Sequence, residues 1–187
     1  MKEEQIKEII KNRLSNERYY HSICVANQCE ILAKQYNINI VNARLVGLVH
    51  DIAKELSKEE KINYAIKNNI TIDEIEKIKP GLLHGKIAAD IAKKEFGFTE
   101  EMSQAIACHT TGKENMSSLD KILFVSDAVS QDRQWPDIQN IRNLAKENLN
   151  EAVLYILNMI IKEKINNKEL LHINSILARN NILKEIM

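Results

Sequence analysis

The chain is predicted to fold as an all-α helical bundle, and three observations carry that prediction. Only five glycines and two prolines punctuate 187 residues. Apolar residues recur at spacings of three and four, as in Leu149, Val153, Ile156, Leu157 and Ile160, which places them on one face of a helix. Helix-start signals agree. Ser57 with Glu60 and Thr71 with Glu74 match the capping-box spacing, and Thr99 precedes Glu100 and Glu101, a first turn in which negative charge is favoured.

In chain order, the first helix is expected over 3–13 and the second over 16–36, within which Cys24, Val25, Gln28 and Leu32 share the general side of His21. A third is expected over 40–54, where the apolar run LVGLV leads into HDIAKEL, and a fourth over 58–68 behind Ser57. Pro80-Gly81 stops one helix or sets up the next, expected over 81–95. Breaks at Gly97-Phe98-Thr99 and Thr111-Gly112 bound helices over 99–109 and 117–129. The remaining periodic segments are 137–146, 149–165 and 168–185, the last rich in Asn and Lys but still periodic, and so read as a packing helix. No repeat, low-complexity run or linker divides the chain, so one domain over 1–187 is expected, with the helices of 149–185 packing on the rest.

Charge is balanced, 26 Lys+Arg against 26 Asp+Glu, so no nucleic-acid footprint and no anionic-membrane patch is expected. A small anionic ligand remains open. The segment MKEEQIKEII lacks the apolar core of a secretory signal, and the stretch LYILNMII is interrupted by Asn158 and too short to span a bilayer, so the cytoplasm is the expected compartment. The three cysteines are read as reduced, small apolar residues; Cys24 and Cys29 stand about 140° apart around a helix and do not form a chelating pair.

Against this background one constellation stands out: His21, the adjacent pair His50-Asp51, His84, His109 and Asp127. Adjacent residues on a helix diverge by about 100°, so His50 and Asp51 can approach one ion from two directions, or Asp51 can bridge two ions. Lys54 follows four residues after His50 and three after Asp51, on nearly the same face. Taken singly, His21, His84 and His109 read as core histidines with a satisfied hydrogen bond. Asp127 follows an apolar run in KILFVSDAVS, where an unpaired carboxylate is costly to bury; an ion pair with Lys or Arg explains it as well as a metal does. Together the set reads as the ligands of one or two divalent ions that activate water and hold phosphate oxygens, and so points to hydrolysis of a phosphoanhydride or phosphoester. His172 closes a single Glu-x-x-His, one where a di-iron bundle needs two, and is read as a surface or core-edge residue.

This set resembles the HD-domain metal phosphohydrolase superfamily. Within it, ERYYHS around His21, GLVHDIAK around His50, LLHGKIAA around His84, the run AIACHTTGKENMSSLDKILFVSD to Asp127, and Arg133 are similar to the bacterial YqeK family of symmetrical diadenosine tetraphosphate hydrolases. The resemblance covers roughly residues 15–145. It implies an HD-domain bundle with a buried metal site in which His21, His50, Asp51 and Asp127 hold one ion, ferrous iron first, with Mn, Co, Ni or Zn as alternatives. His84 and His109 complete a second metal position or contact the phosphates. Arg18, Lys54 and Arg133 lie near the phosphate chain, and Thr110 and Thr111 offer donors to it.

The implied reaction is in-line attack of a metal-activated water, held by His50 and Asp51 and assisted by Lys54, on a central phosphate, giving two ADP. The readings held beside it are another nucleotide phosphohydrolase or phosphodiesterase, a nucleotide-binding sensor with little turnover, and a di-iron oxygenase on the same frame. Apolar positions on the last helices leave room for a homodimer face. One departure stands out: Ser130-Gln131 replaces the Glu-Pro step that the family often carries before its arginine, which bears on the loop's shape and on substrate preference or rate.

Overall fold

The structure, a computed structural model, describes residues 2–187, and among them there are helices and turns but no strand. The helices run α1 (Glu3–Arg13), α2 (Asn16–Gln35), α3 (Ile40–Val49), α4 (Lys58–Lys67), α5 (Glu74–Ile78), α6 (His84–Phe96), α7 (Glu100–Cys108), α8 (Ser118–Val129), α9 (Ile138–Glu147), α10 (Leu149–Asn166) and α11 (Ile173–Ile186). No helix is long and apolar enough to cross a membrane among the described residues.

The caps explain most of the boundaries. Ser57 and Glu60 form the capping box expected of α4, and the Thr99 side chain accepts from Met102 N at the start of α7. Four boundaries differ from the sequence reading. α3 stops at Val49, because beyond His50 the chain turns through shorter bonds, Ile52 N to Val49 O at 3.0 Å and Lys54 N to Asp51 O at 2.9 Å. Thr71 caps nothing; two residues on, Asp73 Oδ1 accepts from Ile75 N and Glu76 N while Glu76 reaches back to Asp73 N, which produces the short α5. Pro80–Leu83 forms a 3-10 turn, so α6 proper begins at His84. The last helix starts at Ile173 rather than 168, after Lys168 takes a left-handed turn (φ 54°) and His172 caps through Nδ1, which accepts from Asn174 N.

One cluster of buried apolar side chains extends from Ile6 and Ile10 of α1 through Leu32, Val46, Ile87, Ile106 and Leu123 to Ile156 and Ile182. Each fully buried Ile or Leu contributes roughly 1.5–3 kcal/mol. α2 packs on α3 and α8, α6 on α7, α7 on α8, and α10 covers α8, α9 and α11. The three cysteines are free and buried, and burial pushes the Cys29 thiol up to about 12.

Two crossings are tighter than ordinary side-chain contact. A Cβ on Gly47 would lie 2.8 Å from Ala26 Cα, so α3 rides directly on α2; a Cβ on Gly85 would lie 3.0 Å from Ala107 O, which brings α6 against α7. These approaches bring the chain segments carrying His21, His50, His84 and His109 together.

Candidate metal centre

His21 lies in α2, His50 caps the end of α3 with Asp51 in the turn beyond it, His84 opens α6, His109 caps the end of α7 and Asp127 lies in α8. Five of the six are buried, and the side chain of Asp127 is 22 % exposed. Neighbouring imidazoles stack edge to face in one chain, His21 to His50 at 5.3 Å between centroids, His50 to His109 at 5.0 Å and His109 to His84 at 4.9 Å.

Three of the rings are anchored in the same way. The Nδ1–H of His50 donates to Gly47 O at 2.7 Å, that of His84 to Gly81 O at 2.6 Å and that of His109 to Ile106 O at 2.7 Å, each a carbonyl three residues back. A carbonyl only accepts, so the proton is fixed on Nδ1 and Nε2 is left as an inward-facing lone pair. His21 has a different anchor, the Asp132 carboxylate, 2.7 Å from its Nδ1. Ser130 Oγ donates to the other oxygen of that carboxylate at 2.7 Å.

The inward atoms form two overlapping groups, His21–His50–Asp127 and His50–Asp51–His109, each with its ligand atoms within 4.8 Å of one another. Asp51 Oδ1 lies 3.2 Å from His84 Nε2 and 3.6 Å from His109 Nε2, and the two Nε2 atoms are 3.1 Å apart. Two buried atoms at this point, His50 Nε2 and Asp51 Oδ1, make no hydrogen bond among the described residues. Orphaned buried acceptors are costly unless a cation meets them. A donor set of imidazole nitrogens and carboxylate oxygens suits a divalent transition metal, so these residues fit such an ion.

The electrostatics fit as well. Burial drives His50 down to about 4 and lowers His84, so both are neutral at neutral pH. Burial alone would raise Asp51, but the neighbouring His50, His109 and His84 outweigh it and hold the carboxyl far below its ordinary range. For Asp127 burial is again outweighed, by the hydrogen bond from His21 and the nearby His50, His109 and Arg133.

The basic residues line up around this centre. Arg18 Nη1 donates to Asp51 Oδ2 at 2.9 Å, Lys54 Nζ stands 3.2 Å from His84 Nε2, and Arg133 Nη2 donates to Asp127 Oδ1 at 2.6 Å. Asp127 is therefore placed both to pair with an arginine and to ligate. Thr110 Oγ1 is 3.3 Å from both His84 Nε2 and His109 Nε2, whereas the Thr111 hydroxyl donates to Gly112 O. An open cleft of about 190 Å³ lies over the centre, lined by Lys54, His109, Thr110, Asp127, Arg133 and Trp135.

Sequence reasoning missed Asp132 and Trp135. The signal for Asp132 was the altered step itself: where Glu-Pro is missing, a carboxylate stands two residues after Ser130. Trp135 gave none beyond being the one tryptophan. A further group, Asp73, Glu76 and His172, also brings its ligand atoms together, but these serve the fold: His172 Nε2 meets Asp73 at 2.8 Å and Lys86 holds Glu76 at 2.7 Å.

A family model described as HD domain matches residues 18–132, from Arg18 to Asp132. A symmetrical bis(5'-nucleosyl)-tetraphosphatase of Halalkalibacterium halodurans is 35% identical over 148 residues, 79% of this chain and 79% of that protein. One of the same name from Bacillus subtilis is 28% identical, over 82% of this chain and 83% of its own. A crystal structure from Clostridium acetobutylicum, of a protein described as a predicted HD superfamily hydrolase involved in NAD metabolism, superposes with a TM-score of 0.95 at 34% identity, over 99% of this chain and 98% of that one.

Proposed function

From the premise that this chain belongs to the HD-domain family, beside the symmetrical bis(5'-nucleosyl)-tetraphosphatases, we propose that it hydrolyses diadenosine tetraphosphate at its centre into two ADP. The observation that carries the reading is the convergence of four imidazoles and two carboxylates on a pair of orphaned acceptors, His50 Nε2 and Asp51 Oδ1, beneath a cleft edged by Lys54 and Arg133.

We assign His21, His50, Asp51 and Asp127 as ligands of one ion, with His109, and His84 beside it, toward a second ion or the phosphates. Ferrous iron is the proposed metal, since imidazole with carboxylate suits it as well as it does Mn, Co, Ni or Zn. When bound, such an ion supplies Lewis acidity toward phosphoryl oxygens and lowers the pKa of water.

The chain's own residues do the rest. The carbonyl and carboxylate anchors on each Nδ1 hold the imidazoles in one tautomer and one orientation. Lys54, 39 % exposed at the cleft edge, offers a point charge to the phosphate chain, and Arg133 a planar fork. Arg18 neutralises the outer oxygen of Asp51 and fixes its carboxylate plane. Thr110 offers a hydroxyl at the same depth as His84 and His109. Water adds to one central phosphorus, and the bridging oxygen leaves with the other as ADP, an anion that needs no obligatory proton donor.

The test is anaerobic incubation of metal-analysed protein with diadenosine tetraphosphate, resolving products by ion exchange against the His50→Ala/Asp51→Ala double variant. Two ADP per substrate, lost in the variant, is the expected result. ATP with AMP, or no turnover at full metal occupancy, overturns it. Hydrolysis without oxygen also separates this reading from oxygenase chemistry.

A further inference from the structure

Beside the cleft over the metal centre lies another of about 270 Å³, between the turn that opens α6 and the segment joining α10 to α11. The two share Thr110, Ile160 and Glu163 as lining residues and so lie side by side. The second has an apolar floor of Leu82, Ile160, Leu170 and Leu171, with Lys79 and Lys164 at its rim. Those two ammonium groups share the carboxylate of Glu169 at 2.6 and 3.0 Å, and Glu163 lines the same cleft.

We propose that this second cleft seats one nucleoside of the dinucleotide, while the other lies against Trp135 in the cleft over the metal centre. The proposal rests on the hydrolase reading and deepens it. A substrate cut at its midpoint carries an identical nucleoside on each side of the reacting phosphates, so two apolar seats must flank the catalytic groups. The structure offers such a pair, each with an exposed apolar platform: Trp135, 36 % exposed, by Asp127 and Arg133, and Leu170, 42 % exposed, beyond Thr110. Thr110, whose hydroxyl is 3.3 Å from both His84 Nε2 and His109 Nε2, marks the crossing point between them.

Position in the chain supports the division of labour. The matched HD domain ends at residue 132 and contains all six candidate metal ligands. Trp135, Ile160, Leu170 and Leu171 lie beyond it. The ligand set determines the kind of bond broken, and the segment after it reads what is attached to the phosphates.

The test uses Leu170→Asp, at an exposed position, with Leu170→Met as the conservative control, in the metal-loaded full chain, the melting temperature of each variant checked against the parent. Titration calorimetry with ADP is expected to count two sites per chain in the unsubstituted protein and in Leu170→Met, and one in Leu170→Asp. KM for diadenosine tetraphosphate is expected to rise about tenfold or more in Leu170→Asp, with metal content and kcat unchanged. One ADP site in the unsubstituted protein, or two in Leu170→Asp with unaltered KM, overturns the second seat. Absence of turnover by the unsubstituted protein overturns the hydrolase reading instead, and the ADP count still decides the seat.

Discussion

His21 Nδ1 and Asp132 Oδ2 meet at 2.7 Å across 111 positions of sequence, and this is the only one of the four imidazole anchors made by a side chain among the described residues. The other three lean on carbonyls, which no substitution at the anchoring residue removes. His21 is therefore the candidate ligand whose orientation can be tested without touching any other candidate. Asp132→Asn keeps the size of the side chain but removes its charge, and is expected to weaken metal binding roughly 10–100-fold, as loss of such outer partners does. Ser130→Ala, which frees one carboxylate oxygen, is expected to do the same more weakly. Competition against a chromogenic chelator measures both; unchanged affinity in Asp132→Asn would remove it from the site.

Binding of an ion should also register as stability. His50 Nε2 and Asp51 Oδ1 are buried without partners, so the metal-free fold carries their desolvation uncompensated. An ion that binds only the folded chain adds about 2.7 kcal/mol at a hundred times its dissociation constant. Thermal melts of stripped protein with and without Fe(II), under argon, are expected to show an upward shift that Asp51→Asn abolishes. An equal shift in Asp51→Asn would place the ion elsewhere.

The helices were legible because periodicity and caps are local. α5 and the late start of α11 were not, because their boundaries depend on which of several polar residues caps: Asp73 outcompetes Thr71 once His172, 99 positions away, meets its other oxygen. The six candidate ligands were visible as a set because burying so many titratable groups on apolar segments is costly without a common partner. Asp132 was not, because its role depends on the fold of a loop. The shared i−3 carbonyl anchors of His50, His84 and His109 were equally hidden, since the reading continued α3 through His50 and started one helix at 81, where the structure ends or begins α-helix at the histidine.

Acid should loosen the metal-free protein in a defined window. Burial holds His50 at about 4 when folded, against 6.5 when exposed. Between those values the unfolded chain binds a proton here that the folded chain refuses, so stability falls as pH drops from 6.5 toward 4, by on the order of 3 kcal/mol. His84, also lowered by burial, adds to the trend. His21 acts outside this window: burial lowers its pKa, but Asp127 and Asp132 outweigh that and raise it, so its contribution is complete below 6.5 and is lost only as pH rises above that. Urea melts of stripped protein across this window are expected to give a shallower decline in His50→Gln. A slope identical to the parent's would mean that other groups carry the acid sensitivity.

The crossing of α2 and α3 links packing to the site. Gly47 supplies the carbonyl that anchors His50, and a Cβ there would fall 2.8 Å from Ala26 Cα and 2.9 Å from Ala26 N, backbone atoms that cannot rotate aside. Gly47→Ala is expected to cost about 1–3 kcal/mol, as overpacking does, and to push His50 on α3 away from His21 on α2, weakening metal binding along with the fold. Gly81 is the internal control. It supplies the equivalent carbonyl to His84, but a Cβ there meets nothing within 4 Å. Gly81→Ala is therefore expected to leave both melting and metal affinity unchanged. If the two substitutions behaved alike, the separation of the two helices would not be what sets the distance between His21 and His50.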